Sequence, residues 1–524
     1  DALAPDAGVT AAMNAGLLVA SSADLVAFRH AVVQRIIETD LPPGRRAEIH
    51  HAIAELLGGV DGVPVTVLAR HRVEATQLDP ASAVAAARRA AQEAAAAGTH
   101  RDAADWFARA AGAAAALGAT GQHERIHCLI GQGDELRLAG DPDQEAVLAE
   151  AAGLAIASGD PSLVSEAAFA ALQLGFTTSS GHAHELGSAL ADRALDMAVT
   201  PDDRARVSAA ASLGYSMTGE VERCRELFLR ALDDARSERV RRQVLPFGYM
   251  ALGAPEDLDL RAAIADELLQ LAEAADDPVA DFEARHLAFS VALQRADGAD
   301  ARAHLAMMLD MVDIVGDVGR RWAMLYQMAA IAHLDGDLDR SEQISEDALA
   351  VFAPVSATRA LAAHGGQLLA IRLAQGRLDE LAPTFELMVA EQPEVPAWHA
   401  ALSLALVGVD DERAAAHSRR ALNDVPRDFL WLAAHVIGGR TAAAVGDAEI
   451  VATYLERLAP WSGRACWQGT CSYGPVDTVL ALLHRRLGDE AAAGEHVRRA
   501  RVVAERLVAP VFARDLREVG FLGS

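Results

Sequence analysis

A short phrase recurs along this chain, and it leaves few folds open. Gly336-Asp337-Leu338-Asp339-Arg340-Ser341 is followed at Ala348 by another small residue. A Gly, a small residue five positions on and an Ala seven beyond that also stand at Gly98/Ala103/Ala110, Gly219/Cys224/Ala231 and Gly488/Ala493/Ala500. Weaker copies stand at Gly376/Leu381/Met388 and Gly446/Val451/Leu458, and at Val409/Ala414/Ala421 with Val in place of Gly. A Gly takes the left-handed conformation that ends a helix. Small residues seven apart lie on one face, two turns apart, and let the returning helix come close. The phrase therefore predicts helical hairpins that stack along one continuous core.

Composition agrees. The 524 residues are 52% hydrophobic and only 5% aromatic, with Ala and Leu dominant, as close-packed helices require. Hairpins at intervals of about forty residues resemble the tetratricopeptide type, so the expected fold is all-α, a tetratricopeptide-like α-solenoid. The helices are expected in pairs, among them Val65 to Gln77 with Ala81 to Ala97 and Arg101 to Leu117 with Gln122 to Leu138, with further helices at Leu260 to Ala275, Pro278 to Arg295 and Ala299 to Val315. Gly175 to Gly181 and Gly253 to Asp259 are expected as breaks.

Charge and residue usage exclude several functions. The net charge is −27, with no basic run longer than clusters such as Arg241-Arg242, so direct nucleic-acid binding is not expected. All 47 basic residues are Arg. A phosphate-binding loop of the Walker type and Schiff-base chemistry both need Lys, so both are excluded. Four cysteines make no disulfide framework, and no apolar run suffices to cross a membrane. The chain reads as a cytoplasmic piece from which something upstream has been removed.

Residues 1–75 differ from the remainder, 76–524. Leu17-Leu18-Val19 and Leu25-Val26-Ala27-Phe28 flank Ser21-Ser22-Ala23-Asp24 as a short hairpin. A helix from His30 to Thr39, a break at Leu41-Pro42-Pro43 and a helix to Leu57 follow. Ala15-Gly16-Leu17-Leu18, Phe28-Arg29-His30, Leu41-Pro42-Pro43-Gly44-Arg45-Arg46, His50 and Ala54-Glu55-Leu56-Leu57 together resemble one particular junction. It is the one that follows the NTPase module in large ATP-binding bacterial regulators. These are signal-transduction ATPases with numerous domains, of the LuxR type or fused to cyclases. Val395-Pro396-Ala397-Trp398, Val425-Pro426-Arg427-Asp428 and Gly474-Pro475-Val476-Asp477 resemble the C-terminal half of the same family. The resemblance implies a winged-helix tail over 1–75, a sensor solenoid over 76–524 and an NTPase upstream in the parent chain. It implies that the region of Arg29-His30 and His50-His51 relays the sensor's state to that NTPase, although ordinary packing would also account for these residues. The chain itself carries no NTPase and ends at Phe521-Leu522-Gly523-Ser524 without a helix-turn-helix.

One loop stands out late in the chain. Trp461, Trp467 and Tyr473 lie near Arg464, a set able to grip a ligand or a partner peptide. The plainer expectation is that this loop folds its aromatics onto the last turns of the solenoid. Trp322, Tyr326, Trp398 and Trp431 read as core. Cys466 and Cys471 have four residues between them and no second pair, so no metal is expected. Gly214 to Gly219 is one residue too long for a nucleophile elbow, His182-x-His184-Glu185 has the wrong order for a zinc helix, and Asp141-x-Asp143-x-Glu145 lacks the calcium-loop Gly. With no catalytic set and no cofactor motif, the expected function is a non-catalytic sensor that binds a small-molecule effector or a protein partner on a concave, acidic solenoid surface. The alternative is a plain protein-interaction adaptor without an effector.

Overall fold

The structure is a computed structural model, and it describes residues 5–20, 26–173, 181–217, 220–315, 317–423, 425–513 and 516–517. The turn at 21–24, residues 175–180 of the expected loop, Gly219 and the last residues 521–524 lie outside the described residues, as do the side chains of His182, His184 and Glu185. Two compact units divide the chain, 1–135 and 136–524.

In the first unit α1 (Pro5–Asn14) leads to β1 (Leu18–Ala20) and β2 (Val26–Phe28), antiparallel with Leu18 opposite Phe28. Then come α2 (Ala31–Asp40), α3 (Pro43–Leu57), α4 (Val65–Glu74), α5 (Pro80–Ala96) and α6 (His100–Ala116), while α7 (Gln122–Leu138) runs across the boundary at residue 135. Pro42 and Pro43 stand at the N-cap and first turn of α3, where a missing N–H costs nothing. His50 and His71 approach Nδ1 to Nδ1 at 2.7 Å, joining α3 to α4.

The second unit holds α8 (Gln144–Ser158), α9 (Pro161–Leu172), α10 (Gly181–Met197), α11 (Pro201–Met217), α12 (Val221–Asp234), α13 (Glu238–Val244) and α14 (Gly248–Ala251). It continues through α15 (Leu258–Ala275), α16 (Pro278–Gln294), α17 (Gly298–Val315), α18 (Val318–Asp335), α19 (Leu338–Phe352) and α20 (Ala357–Gln375). Next are α21 (Ala382–Glu391), α22 (Pro396–Ala405), α23 (Asp411–Arg420), α24 (Trp431–Val445) and α25 (Ala448–Leu458). It ends with β3 (Ala465–Trp467), β4 (Ser472–Pro475), α26 (Val476–Arg486) and α27 (Glu490–Arg506). Most helices pack mainly on those next to them in sequence. The fold is all-α, a tetratricopeptide-like solenoid. Among the described residues no helix is long and apolar enough to cross a membrane.

The recurring phrase works as its chemistry requires. Gly336 closes α18 with φ 84°, and Asp337 caps α19 by accepting from the Arg340 N–H at 3.3 Å. Gly488 and Asp489 do the same before α27, with φ 80° and a cap to Ala492 N–H at 3.0 Å. The small residues lie at the helix–helix contact: Ala103, Ala110, Ala414, Ala421, Ala493 and Ala500 are wholly buried. Ser341 is buried as well, and its hydroxyl donates to Ala329 O at 2.8 Å, pinning α19 to α18. Two copies differ. Before α23 the left-handed residue is Gly408 (φ 78°), one position ahead of Val409, and Gly446 is extended at φ −72°.

A repeat in a solenoid ordinarily touches only its neighbours. The second unit departs from that rule by closing on itself. Phe289, Leu293, Leu305 and Leu334, from α16 to α18, share one core with Trp467, Val503, Leu507 and Phe512. Polar contacts reinforce the closure. Arg302 donates to Leu507 O at 3.1 Å and Val508 O at 3.0 Å, and Arg506 donates to Arg295 O at 2.9 Å.

Candidate functional site

The second unit holds a partly open cavity of about 480 Å³. That lies within the range of pockets that hold small organic ligands, roughly 300–1,000 Å³. One wall comes from successive inner helices. Tyr249 of α14, His286 of α16, and Tyr326 and Trp322 of α18 form an unbroken series of rings ending on Phe352 of α19. Trp322 and Phe352 stack with centroids 4.1 Å apart and planes 6° from parallel. His286 Nε2 lies 2.7 Å from the Tyr326 hydroxyl. Burial lowers the pKa of His286 and pushes that of Tyr249 up to about 12, so both rings are neutral at physiological pH.

A further part of the lining is the β3–β4 hairpin, which joins the ring series at Tyr249. All its strand residues are buried. Its tip, residues 468–470, crosses the interior instead of lying on the last turns. Trp467 Nε1 donates to Ser290 Oγ at 2.8 Å, and its ring meets Phe289 edge to face. The Tyr249 hydroxyl donates to Gly469 O at 3.0 Å. The Tyr473 hydroxyl donates to Gly366 O at 3.0 Å, and the Gln367 amide donates to Thr470 O at 2.9 Å. Buried backbone carbonyls need partners, and Tyr249 and Gln367, 220 and 103 residues earlier, supply them for Gly469 and Thr470.

The four residues singled out from sequence therefore divide. Trp467 and Tyr473 line the cavity. Trp461 and Arg464 sit behind it as a clamp. The Arg464 guanidinium lies 5.3 Å from the Trp461 ring and donates to Pro255 O at 2.9 Å. Arg427 covers Trp431 at 4.3 Å, and Trp431 meets Trp461 edge to face. Trp322, Tyr326 and Trp398, expected as core, face the cavity as well as their neighbours. Cys466 and Cys471 are buried free thiols, and burial pushes Cys471 up to about 11. Among the described residues no three His, Cys, Asp or Glu side chains gather as a metal site.

The charged lining is not acidic, despite the net charge of the chain. Arg137, Arg261, Arg320 and Arg359 face it, with Glu283, Asp317 and Asp428. Arg320 is held by Glu283 at 2.9 Å and by Asp317. Arg261 donates to the carbonyls of Leu252 and Ala254 and to Gln294. Arg359 differs. It lies 5.7 Å from the Trp322 ring and 5.5 Å from that of Phe352, and its guanidinium has no hydrogen-bond acceptor among the described residues. Burial presses its pKa below the ordinary value, although it keeps part of its surface open to the cavity.

Sequence reading passes over Arg359 and the ring series. A signal for the latter exists: His286, Tyr326 and Gln367 follow one another at intervals of 40 and 41 residues, one repeat apart. They mark the same position on successive inner helices.

Asp428, at the start of α24, is raised to about 6 by burial, against backbone N–H bonds that lower it. Its Oδ1 accepts from Leu430 N–H at 2.8 Å. A buried carboxylate above its ordinary pKa of about 3.9 destabilises the fold once ionised, so this penalty is small near pH 4, grows as pH rises and is complete above pH 7. Asp428→Asn keeps an acceptor for the cap and removes the charge. It is expected to stabilise the chain by about 1–2 kcal/mol at pH 8 and to change little at pH 4. Paired urea titrations at the two pH values check this.

No family model matches the chain, and no curated protein matches it. Solved structures resemble it. The Cut9–Hcn1 hetero-tetramer of the APC/C matches at 12% identity and TM-score 0.42, over 94% of this chain and 95% of that one. Yeast Tom70 matches at 13% and 0.33, over 83% and 96%. A signal-transduction ATPase with a tetratricopeptide-repeat sensor, from Pyrococcus horikoshii, matches at 14% and 0.28, over 75% of this chain and 60% of that one. None of these likenesses bears on what the cavity holds.

Proposed function

We propose that this chain is the non-catalytic sensor of a signal-transduction ATPase or transcriptional regulator, and that its effector sits inside the closed second unit. The observation that carries this reading is the cavity, lined both by the ring series and by a hairpin from far along the chain. An effector touching both bridges segments about 200 residues apart. It therefore binds the closed form better than any opened one, which is the differential affinity a sensor needs.

Residues 1–75 are then the winged-helix tail and junction, and an NTPase upstream in the parent chain takes up the signal. The resemblance of the junction residues supports this. So do exposed apolar side chains in the same stretch, Val32 at 68%, Ile36 at 54% and Leu56 at 74%, which fit a surface covered in the parent protein.

The test is a thermal-shift screen of the whole chain against small metabolites, run beside affinity capture of proteins. A stabilising metabolite is the expected result. A captured protein partner with no metabolite shift would turn the reading to the plain adaptor. A parent reading frame lacking an upstream phosphate-binding loop would remove the ATPase link.

A further inference from the structure

We infer that the cavity takes a flat, largely apolar organic acid carrying one negative charge, with Arg359 pairing to its carboxylate; this rests on the cavity being the effector site. The charge argument comes first. Of the cavity arginines Arg320 is matched by two carboxylates, Arg261 spends its N–H groups on carbonyl and amide oxygens, and Arg137 is partnered as well. The Arg359 guanidinium has rings beside it and no oxygen acceptor among the described residues, and its surroundings are dry enough to lower its pKa. A buried cation without a counter-charge is a standing penalty, and a ligand carboxylate removes it with two parallel N–H···O bonds.

Among the described cavity residues Arg359 is the arginine whose guanidinium lacks an acceptor, and one such group fits one ligand charge. Nucleotides and sugar phosphates bring two or more negative charges, and the excess would meet Glu283, Asp317 and Asp428. A quaternary ammonium would suit the rings but is repelled by Arg359. The body of the ligand follows from the walls. Rings from Tyr249 to Phe352 offer faces and edges for a flat partner, while the Tyr249, His286 and Tyr326 polar atoms are spent largely on one another and on the hairpin.

Tryptophan fluorescence reads the site, since Trp322, Trp398 and Trp467 all line it. The probes are 2-naphthoate, its methyl ester and 2-naphthyl phosphate, titrated into the whole chain. We expect 2-naphthoate to bind at least about tenfold more tightly than the ester, as a charge-assisted pair warrants, and more tightly than the phosphate. Arg359→Met should remove that advantage and leave the ester unchanged, and Arg359→Lys should restore part of it. The acid–ester comparison needs no variant, so it stands even if Arg359→Met fails to fold. Equal binding of acid and ester would overturn the anion assignment and leave the cavity as a ligand site. A tighter phosphate would overturn the single-charge argument. If neither acid nor ester binds at millimolar concentration, this inference falls, and the effector reading is left to the metabolite screen.

Discussion

Trp467→Ala is expected to destabilise the second unit by about 3–5 kcal/mol, the range for deleting a large buried aromatic side chain. Trp467 is 3% exposed, packs against Phe289 and donates its indole N–H to Ser290. Removing it loses apolar contact, leaves the Ser290 hydroxyl without that donor, and leaves a void beside a cavity already present. The surroundings cannot collapse to fill it, because α16 and the hairpin are each fixed by other contacts. Trp467→Phe keeps the ring against Phe289 and loses the hydrogen bond, so about 1–2 kcal/mol is expected. Guanidinium unfolding followed by far-UV circular dichroism separates the two. The functional consequence goes with the structural one. A hairpin loosened at Trp467 no longer holds its part of the lining at a fixed distance from the rings, so ligand binding should weaken in the alanine variant more than stability alone explains.

That hairpin also shows what sequence can and cannot tell about such a chain. The helical hairpins are legible because their causes are local. A Gly at a helix end, an Asp cap after it and small residues seven apart act within twenty residues of one another. Where local chemistry offers two answers the reading slips, as at Gly408, where the turn falls one residue before Val409. The destination of residues 465–475 is not legible. Nothing within them says that Gly469 will meet Tyr249, or Trp467 Ser290, because those partners lie 220 and 177 residues away. The loop's aromatics stand out as exceptional, but the surface nearest in sequence is the last turns, which is the low-entropy choice for a loop. Arg359 is invisible for another reason. An Arg on a helix is ordinary, and only the absence of an acceptor among its described neighbours marks it.

Gly298→Ala sets two magnitudes against each other. Gly298 opens α17, where Ala is the better helix former by about 1 kcal/mol, so propensity alone predicts a gain. An added Cβ, however, would stand 1.9 Å from Leu507 O and 2.3 Å from its carbonyl carbon. Backbone cannot swing aside as a flexible side chain does. It is also held here by Arg302, which donates to Gly298 O at 2.9 Å and to Leu507 O at 3.1 Å. Val508, the next residue, is a β-branched residue in the left-handed region at φ 53°, a conformation kept only where the surroundings over-determine it. The clash should therefore win, with a net loss of about 3 kcal/mol, at the upper end of overpacking changes. Gly153→Ala is the matched control. It lies inside α8, where an added methyl would meet nothing within 4 Å, and should gain about 0.5–1 kcal/mol. If both glycines respond alike in urea titrations, α17 and the C-terminal segment are not in contact, and the second unit is an open solenoid with no such cavity. If Gly298→Ala alone is destabilised and also loses ligand binding, closure at Leu507 and the integrity of the cavity are one and the same property.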